Sequence, residues 1–531
     1  MLENSEVYMV KESKLYNEAV SLTGYGIYNI FILLATGGCL MCVIIETMSM
    51  AFIIPAAQCD LNLNLSEKGI LASISFLGVM TTSQFWGFLA DTRGRKNILV
   101  FCLISSSLVS LGCSLVPWSW LFILLRFING ALIGGSSSII YAFAGEFHSD
   151  RFRPMIVSWI SSFVAAGQMY IPGMAWKLLP NTWSYDLEGL GITFRPWRLL
   201  IIVYALPSLF VAAMLSILPE SPKYLLSRGK HDRTLRILTR MFVINKNKKS
   251  HEYPVSTIIL DEILTEKNEE KVNVFLSMWR QTVPLFRKEN IIKTVLICYM
   301  QFGVFMSASA LALWYPEILN SMDRYSKKVS ANDVTLCASI NYNNDSVTKS
   351  NLLGYNIFED LFRANETDQN NEVCDDTVNT SVFPVVLSIG AAIGISYIVI
   401  GILVNKIDKK YLLVAATVIT GICGLIAQYI SGYMTIQILT GIYLLISSCI
   451  GIVNALVVDL YPTNIRAMAL AISLMFGRFG AMVGSNVVGN IFYNYCDYMF
   501  IMFAINHLIL IAAIVLLPTK KISKILLGSD K

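Results

Sequence analysis

The chain has 531 residues, 55% of them apolar and only 15% charged, against roughly 25% charged in an average soluble domain. Its net charge of +5 is not gathered in one basic patch, which argues against a nucleic-acid surface. Apolar runs of about 20 residues, long enough to cross about 30 Å of hydrocarbon, recur along it. They exclude a collagenous or disordered chain and a β-barrel, whose strands would alternate. The composition is that of an all-α membrane protein.

Taken in chain order, the runs predict twelve spans at 30–56, 67–90, 97–115, 118–144, 154–176, 198–218, 291–319, 382–404, 411–431, 434–458, 467–493 and 498–518. The links after spans 2, 4, 8 and 10 carry Arg93, Arg95 and Lys96; Arg151 and Arg153; Lys406, Lys409 and Lys410; and Arg466. The links at 115–119, 432–434 and 494–497 carry no Lys or Arg, so the first set lies in the cytosol. Both termini, 1–29 and 519–531, are then expected to be cytosolic. The first 29 residues are polar and mixed in charge, so span 1 itself is expected to act as the insertion signal. Lys520, Lys521 and Lys524 in the tail suit contact with anionic lipid, with a solvated tail as the plainer reading.

Two longer segments separate the spans. Residues 219–290 hold fourteen Lys and Arg and form a cytosolic linker. Residues 320–381 fall on the lumenal side and contain glycosylation sequons at Asn344, Asn365 and Asn379, which are used only on that side. Asn64 heads a fourth sequon, too close to span 2 for use. Of the eleven cysteines, Cys59, Cys337, Cys374 and Cys496 are lumenal, and Cys337 with Cys374 forms a candidate disulfide, with free thiols as the alternative. Cys39 and Cys42 have redox spacing but sit in apolar span 1, where packing explains them. The four histidines make no metal-ligand motif, and neither a phosphate-binding loop nor a nucleophile elbow is present. No enzyme chemistry, metal or cofactor is indicated.

An internal repeat organises the spans. Gly87-Phe-Leu-Ala-Asp91-Thr-Arg-Gly-Arg95-Lys96 follows span 2, and Gly401-Ile-Leu-Val-Asn405-Lys-Ile-Asp-Lys-Lys410 follows span 8, 314 positions later. Glu146 precedes Arg153 by seven residues at the end of span 4; Asp459 precedes Arg466 by seven at the end of span 10. The chain therefore reads as two pseudo-symmetric six-helix bundles, 30–218 and 291–518.

This pattern resembles the major facilitator superfamily along nearly the whole chain. Arg126-Phe-Ile-Asn-Gly130, Pro219-Glu220-Ser221-Pro222 and Asp459-Leu-Tyr-Pro-Thr463 narrow the resemblance to the sugar and organic-ion branches. Gly24-Tyr-Gly26, Glu46 nine residues before Pro55, Met174-Ala-Trp176, Pro196-Trp-Arg198 and Gly229-Lys-His-Asp232 bring it closer to the synaptic vesicle glycoprotein 2 family.

The resemblance implies a cytosolic latch in which Asp91 faces the positive N-terminal end of span 11, with Arg95, Glu146 and Arg153 completing a charge network. The plainer reading is that these charges orient loops. Asn405 is neutral, so the second-half latch built with Asp459 and Arg466 is expected to be weaker. Glu46, Arg126 and Arg478 are ionisable groups within spans and hence functional candidates. Glu46 either carries a proton, contacts a cationic solute or forms an ion pair with Arg126. Tyr170, Gln168, Gln301, Asn454 and Asn486 either line a central cavity or bond between helices. Compared with the vesicle glycoproteins, Val43, Val164, Ala308, Ser309, Ile450 and Asn454 stand where aromatic or acidic residues are expected, implying a less aromatic and less acidic cavity.

The sequence thus predicts a transporter of a small organic solute or ion working by alternating access, with proton coupling through Glu46 as a further expectation. Its site is the plasma membrane or a vesicle. A second reading stays open: a transporter-shaped protein that acts through its linker on cytosolic protein partners.

Overall fold

The computed structural model describes residues 12–189, 191–259, 282–341, 378–404, 406–461 and 463–517. Span 1 is Ile27–Met48 continued, after a break at Ser49, by Met50–Ala57. Spans 2 to 6 are Leu65–Arg93, Arg95–Cys113, Ser119–Gly145, Arg153–Leu178 and Pro196–Ile217. Spans 7 to 9 are Ile291–Ser326, Val382–Leu403 and Lys409–Tyr429. Span 10 runs from Tyr433–Leu444 through a 3-10 turn, Leu445–Ser448, into Cys449–Leu460. Thr463–Asn494 and Cys496–Leu516 are spans 11 and 12.

Among the described residues, eleven of these helices are long and apolar enough to cross a membrane. Span 2 is the twelfth, and its polarity is explained by its neighbours. Thr82 and Trp86 both donate to the Ala131 carbonyl of span 4 at 2.7 Å, and Ser83 accepts from Arg478 of span 11. A helix whose polar groups are satisfied by protein can cross hydrocarbon without being uniformly apolar. Asn64 and Glu67 start it with a reciprocal capping box, which satisfies two orphan donors.

Spans 2 and 4 cross so closely that a Cβ on Gly78 would strike the backbone of Phe127 to Ala131, and one on Gly130 the backbone of Ser75. Small residues permit this approach, and in lipid it is packing rather than the hydrophobic effect that holds helices together. The two halves meet where span 2 lies against span 11 and span 5 against span 8.

Apolar packing differs between the two sides of the molecule. Toward the lumen, residues of both halves merge into one core, with Phe52 of span 1 stacked on Phe383 of span 8 at 5.6 Å. Toward the cytosol each half keeps a core of its own. The halves thus share a core at the end that the charge bias predicts to be lumenal and keep separate cores at the other.

The start of the linker is not loose chain. Strand β1 (Glu12–Leu15) pairs in parallel with β4 (Val255–Ile259), and the helix His231–Lys246 buries Leu238, Met241 and Phe242 against the first bundle. Its Asn245 accepts from the Tyr28 amide and donates to Asn29, fastening the linker to the mouth of span 1. On the lumenal side a short hairpin, β2 (Tyr185–Leu187) with β3 (Ile192–Phe194), joins spans 5 and 6. Gly130→Leu should part spans 2 and 4, cost about 1–3 kcal/mol or more and lower the melting temperature in detergent. Gly87→Ala, where nothing lies within 4 Å of the added atom, should leave it unchanged.

Candidate functional site

On the cytosolic side the signature charges form a clasp within the first half. Arg95 bonds Glu146 at 2.6 Å and Asp91 at 3.2 Å. Glu146 also accepts a hydrogen bond from Ser221; burial pushes its carboxyl up from the ordinary range against the opposing pull of Arg95. The residue that organises this corner is Glu220. Its carboxylate accepts the backbone N–H groups of Arg95, Lys96 and Ser221 at 2.9–3.0 Å, sitting at the electropositive start of span 3. Gly94 has φ +105°, and a Cβ there would collide with that carboxylate. The signature glycine is therefore required on both counts.

One member of the expected network, Arg153, is placed differently. The Asp91 side chain is 66% exposed and its ion pair is with Arg95, one turn along; the side chains at 463, 464, 466 and 467, where span 11 begins, lie outside the described residues. Arg153 bonds Asp150 at 2.7 Å and the Gly145 carbonyl rather than the Glu146 carboxylate, because the turn 146–152 folds its side chain back on span 4. An added Cβ on Gly87, the first residue of the signature, would meet nothing within 4 Å.

The second half repeats the clasp with other residues. Lys409, 314 positions on from Arg95, forms an ion pair with Asp459, which matches Glu146. Asp408 stands where the first half has Gly94, and its own carboxylate caps span 9 by accepting the Lys410 amide at 2.9 Å. The departure from glycine thus supplies locally the anion that Glu220 supplies from a distance. Asn405 and the side chain of Arg466 lie outside the described residues.

Within the membrane, Glu46 and Arg126 form an ion pair at 3.3 Å, their side chains 2% and 1% exposed. Ser110 donates to the Glu46 carboxylate at 2.6 Å, and Arg126 donates to Ser49 at 3.1 Å and to the Glu46 carbonyl. Asn129 donates to Ser110 at 3.0 Å. The break in span 1 at Ser49 turns that hydroxyl toward the guanidinium. Of the readings the sequence left open for Glu46, the ion pair is the one formed in this conformation.

Arg478 is the bridge between the halves. From span 11 it donates to Ser83 of span 2 and Ser137 of span 4, both at 2.8 Å, with Tyr141 close enough to act on it electrostatically. Among the described residues its recorded hydrogen-bond partners are hydroxyls, and no carboxylate makes an ion pair with it. Asn486 also crosses the interface, donating to Ser73. Tyr170 donates to the Val203 carbonyl at 3.0 Å and Gln301 to Asn454 at 2.8 Å, each within one half, while the Gln168 side-chain oxygen is buried without a hydrogen-bond partner among the described residues. Val43, Ala308 and Ser309 are buried in packing.

On the lumenal side Cys337 is disulfide-bonded to Cys496, 159 positions away, and not to Cys374, which lies outside the described residues. The disulfide brings the loop after span 7 to the start of span 12, and the same loop meets the start of span 10, where the Val334 and Ala331 carbonyls accept from Gly432 and Tyr433. Cys59 is disulfide-bonded as well. Cys39 and Cys42 are free and buried. Asn344 and Asn365 fall outside the described residues; the Asn379 side-chain nitrogen is covered while its amide donates to Asn320.

Two six-span halves, a repeated charge clasp and an interface bridged at mid-depth define a membrane protein of the major facilitator fold. The family model "Sugar (and other) transporter" matches residues 52–338, and the chain belongs to that family. It is 27% identical to rat synaptic vesicle glycoprotein 2A over 325 residues, 58% of this chain and 44% of that protein. It is 29% identical to mouse synaptic vesicle glycoprotein 2B over 323 residues, 57% of this chain and 47% of that one. The chain thus spans less than half the length of these curated relatives. A solved structure of the xylose transporter XylE from E. coli, in a partially occluded inward-open conformation, superposes with a TM-score of 0.63 at 14% identity. That match covers 93% of this chain and 99% of the other, which shows the shared fold.

Breaking a buried ion pair from one side leaves a bare charge and costs about 3–5 kcal/mol. Arg126→Leu and Glu46→Gln should therefore each depress the melting temperature in detergent, and the double variant should recover most of the loss. Equal and small effects of both single changes would show that the pair is not buried as described.

Proposed function

We propose that this protein is a secondary-active transporter that carries a small organic anion by alternating access, with proton coupling through Glu46. The observation that carries the reading is Arg478: a guanidinium between the two halves, held at 2.8 Å by two serine hydroxyls. A cation within a membrane protein is costly unless an opposite charge balances it, and hydroxyls only hydrogen-bond to it. A carboxylate or comparable anion on the solute would supply that charge through a bidentate contact. Because Arg478 sits on span 11 and its partners on spans 2 and 4, a solute bound there competes for contacts that tie the halves together. This is how binding could drive their rearrangement.

The coupling role rests on the Glu46–Arg126 pair. Protonating Glu46 removes the ion pair and leaves Arg126 to its serine and carbonyl partners, which shifts the break in span 1 between two bonding patterns. The names of the relatives agree with residence in a vesicle or at the plasma membrane. The regulatory reading draws on a different observation, the exposed Arg233, Arg236 and Arg240 along one face of the linker helix, which suit an acidic cytosolic partner.

Protein reconstituted in liposomes and offered anionic, neutral and cationic solutes, with and without a pH gradient, should take up an anion. Arg478→Gln should lower that uptake by about tenfold or more, as loss of a charge-assisted contact does, and Arg478→Lys by less. Glu46→Gln should abolish the response to the pH gradient. Uptake of a neutral or cationic solute that Arg478→Gln leaves intact would contradict the anion reading, and no uptake of any solute would favour the regulatory one.

A further inference from the structure

The lumenal closure, largely apolar among the described residues, contains a charged element. A small pocket lies between span 1, span 2 and span 7, lined on the first-half side by Met50, Ile54, Gln58 and Lys68 and on the second-half side by Trp314 and Glu317. Lys68 is held there by Gln58, to which its ammonium donates at 2.5 Å. Across the cavity the Glu317 carboxylate acts on that ammonium electrostatically. The opposite wall is rigid: Trp314 is 4% exposed and its indole N–H donates to the Ser485 carbonyl at 3.0 Å.

We propose that Lys68 and Glu317 are the charged lock of the lumenal gate, attracting the halves toward each other in the lumen-closed state and separating when the protein opens outward. Two features support the assignment. The residues belong to different halves, so their attraction acts on the relative position of the bundles and not on the stability of either. They also lie beside the seam where Phe52 stacks on Phe383, and apolar stacking alone does not select one partner residue, whereas opposite charges do. The cytosolic clasp is different in kind, since Arg95 with Glu146 and Lys409 with Asp459 each stay within one half. Arg478 and Asn486 join the halves by hydrogen bonds deeper in the interface, and the lock adds opposite charges at its lumenal end.

This inference rests on the transport reading for its purpose, but its test does not use transport. Ala72 lines the same cavity and is 2% exposed. Ala72→Cys in the full-length protein, reconstituted in vesicles, is labelled from the lumenal side with a membrane-impermeant maleimide. Lys68→Glu and Glu317→Lys should each raise the labelling rate by about tenfold, by placing like charges opposite each other. The double variant Lys68→Glu/Glu317→Lys should return the rate to the parent value. Singles that leave the rate unchanged, or a double variant labelled as fast as the faster single, would overturn the lock. Correct folding of each variant is read independently from retention of the Cys337–Cys496 disulfide. Rates that follow the lock in a protein that moves no solute would support the gate and refute transport. Unchanged rates in a protein that does move solute would refute only the gate.

Discussion

A charge placed among membrane helices has to be balanced from within the protein, since lipid supplies neither counter-ion nor hydrogen bond. Much of this structure follows from how that requirement is met. Glu46 and Arg126 balance each other and use Ser49, Ser110 and Asn129 to satisfy further groups, which ties spans 1, 3 and 4 into one block. The same demand shapes span 2, whose hydroxyls bond to spans 4 and 11 rather than to lipid. Arg478 meets the requirement least completely, with hydroxyls in place of a carboxylate, and it does so where the two blocks meet. An incomplete balance inside either bundle would only weaken it; between the bundles it is what the proposed anionic solute would complete.

The cytosolic clasp shows how one architectural need can be met by two sequences. A helix beginning at the membrane surface presents unpaired N–H groups. Span 3 has them covered by Glu220, reached over 125 positions of chain, and needs glycine at 94 to admit the carboxylate. Span 9 uses Asp408 from its own turn. Because Glu220 begins the linker, the first solution also docks the linker beneath the first bundle, together with Ser221, Tyr224 and Arg228, which bond Glu146 and the Thr92 carbonyl. The second bundle, capped locally, carries no such attachment through Asp408. The asymmetry of the two halves is in this sense a consequence of where one carboxylate comes from.

The sequence made the spans and the repeat readable because hydropathy and charge are local quantities, and Gly87 to Lys96 recurs intact enough at Gly401 to Lys410 to be matched by eye. It made the pair Glu46 and Arg126 nameable, since each is conspicuous in an apolar run. What it hid were partners chosen by topology. Ser83 and Ser137 look like ordinary helix residues until span 11 brings Arg478 between them. Cys496 sits in a short link, and only the packing of span 12 against the loop after span 7 selects it over Cys374 for Cys337. Lys409 stood within the repeat, yet its pairing with Asp459 becomes visible only by noticing that both members of the first-half pair have counterparts at nearly the same offset.

The central claim is that two rigid bundles rock about an interface closed toward the lumen, with an anion bound between them. It is tested most directly by electron-spin distance measurements on two label pairs at exposed positions. One pair joins the lumenal ends at Leu115 and Tyr429, the other the cytosolic ends at Arg151 and Tyr411. Across conditions that bias the equilibrium, the account predicts opposite changes, the lumenal distance lengthening as the cytosolic one shortens. Distances that stay fixed at both ends, or lengthen together, would contradict it.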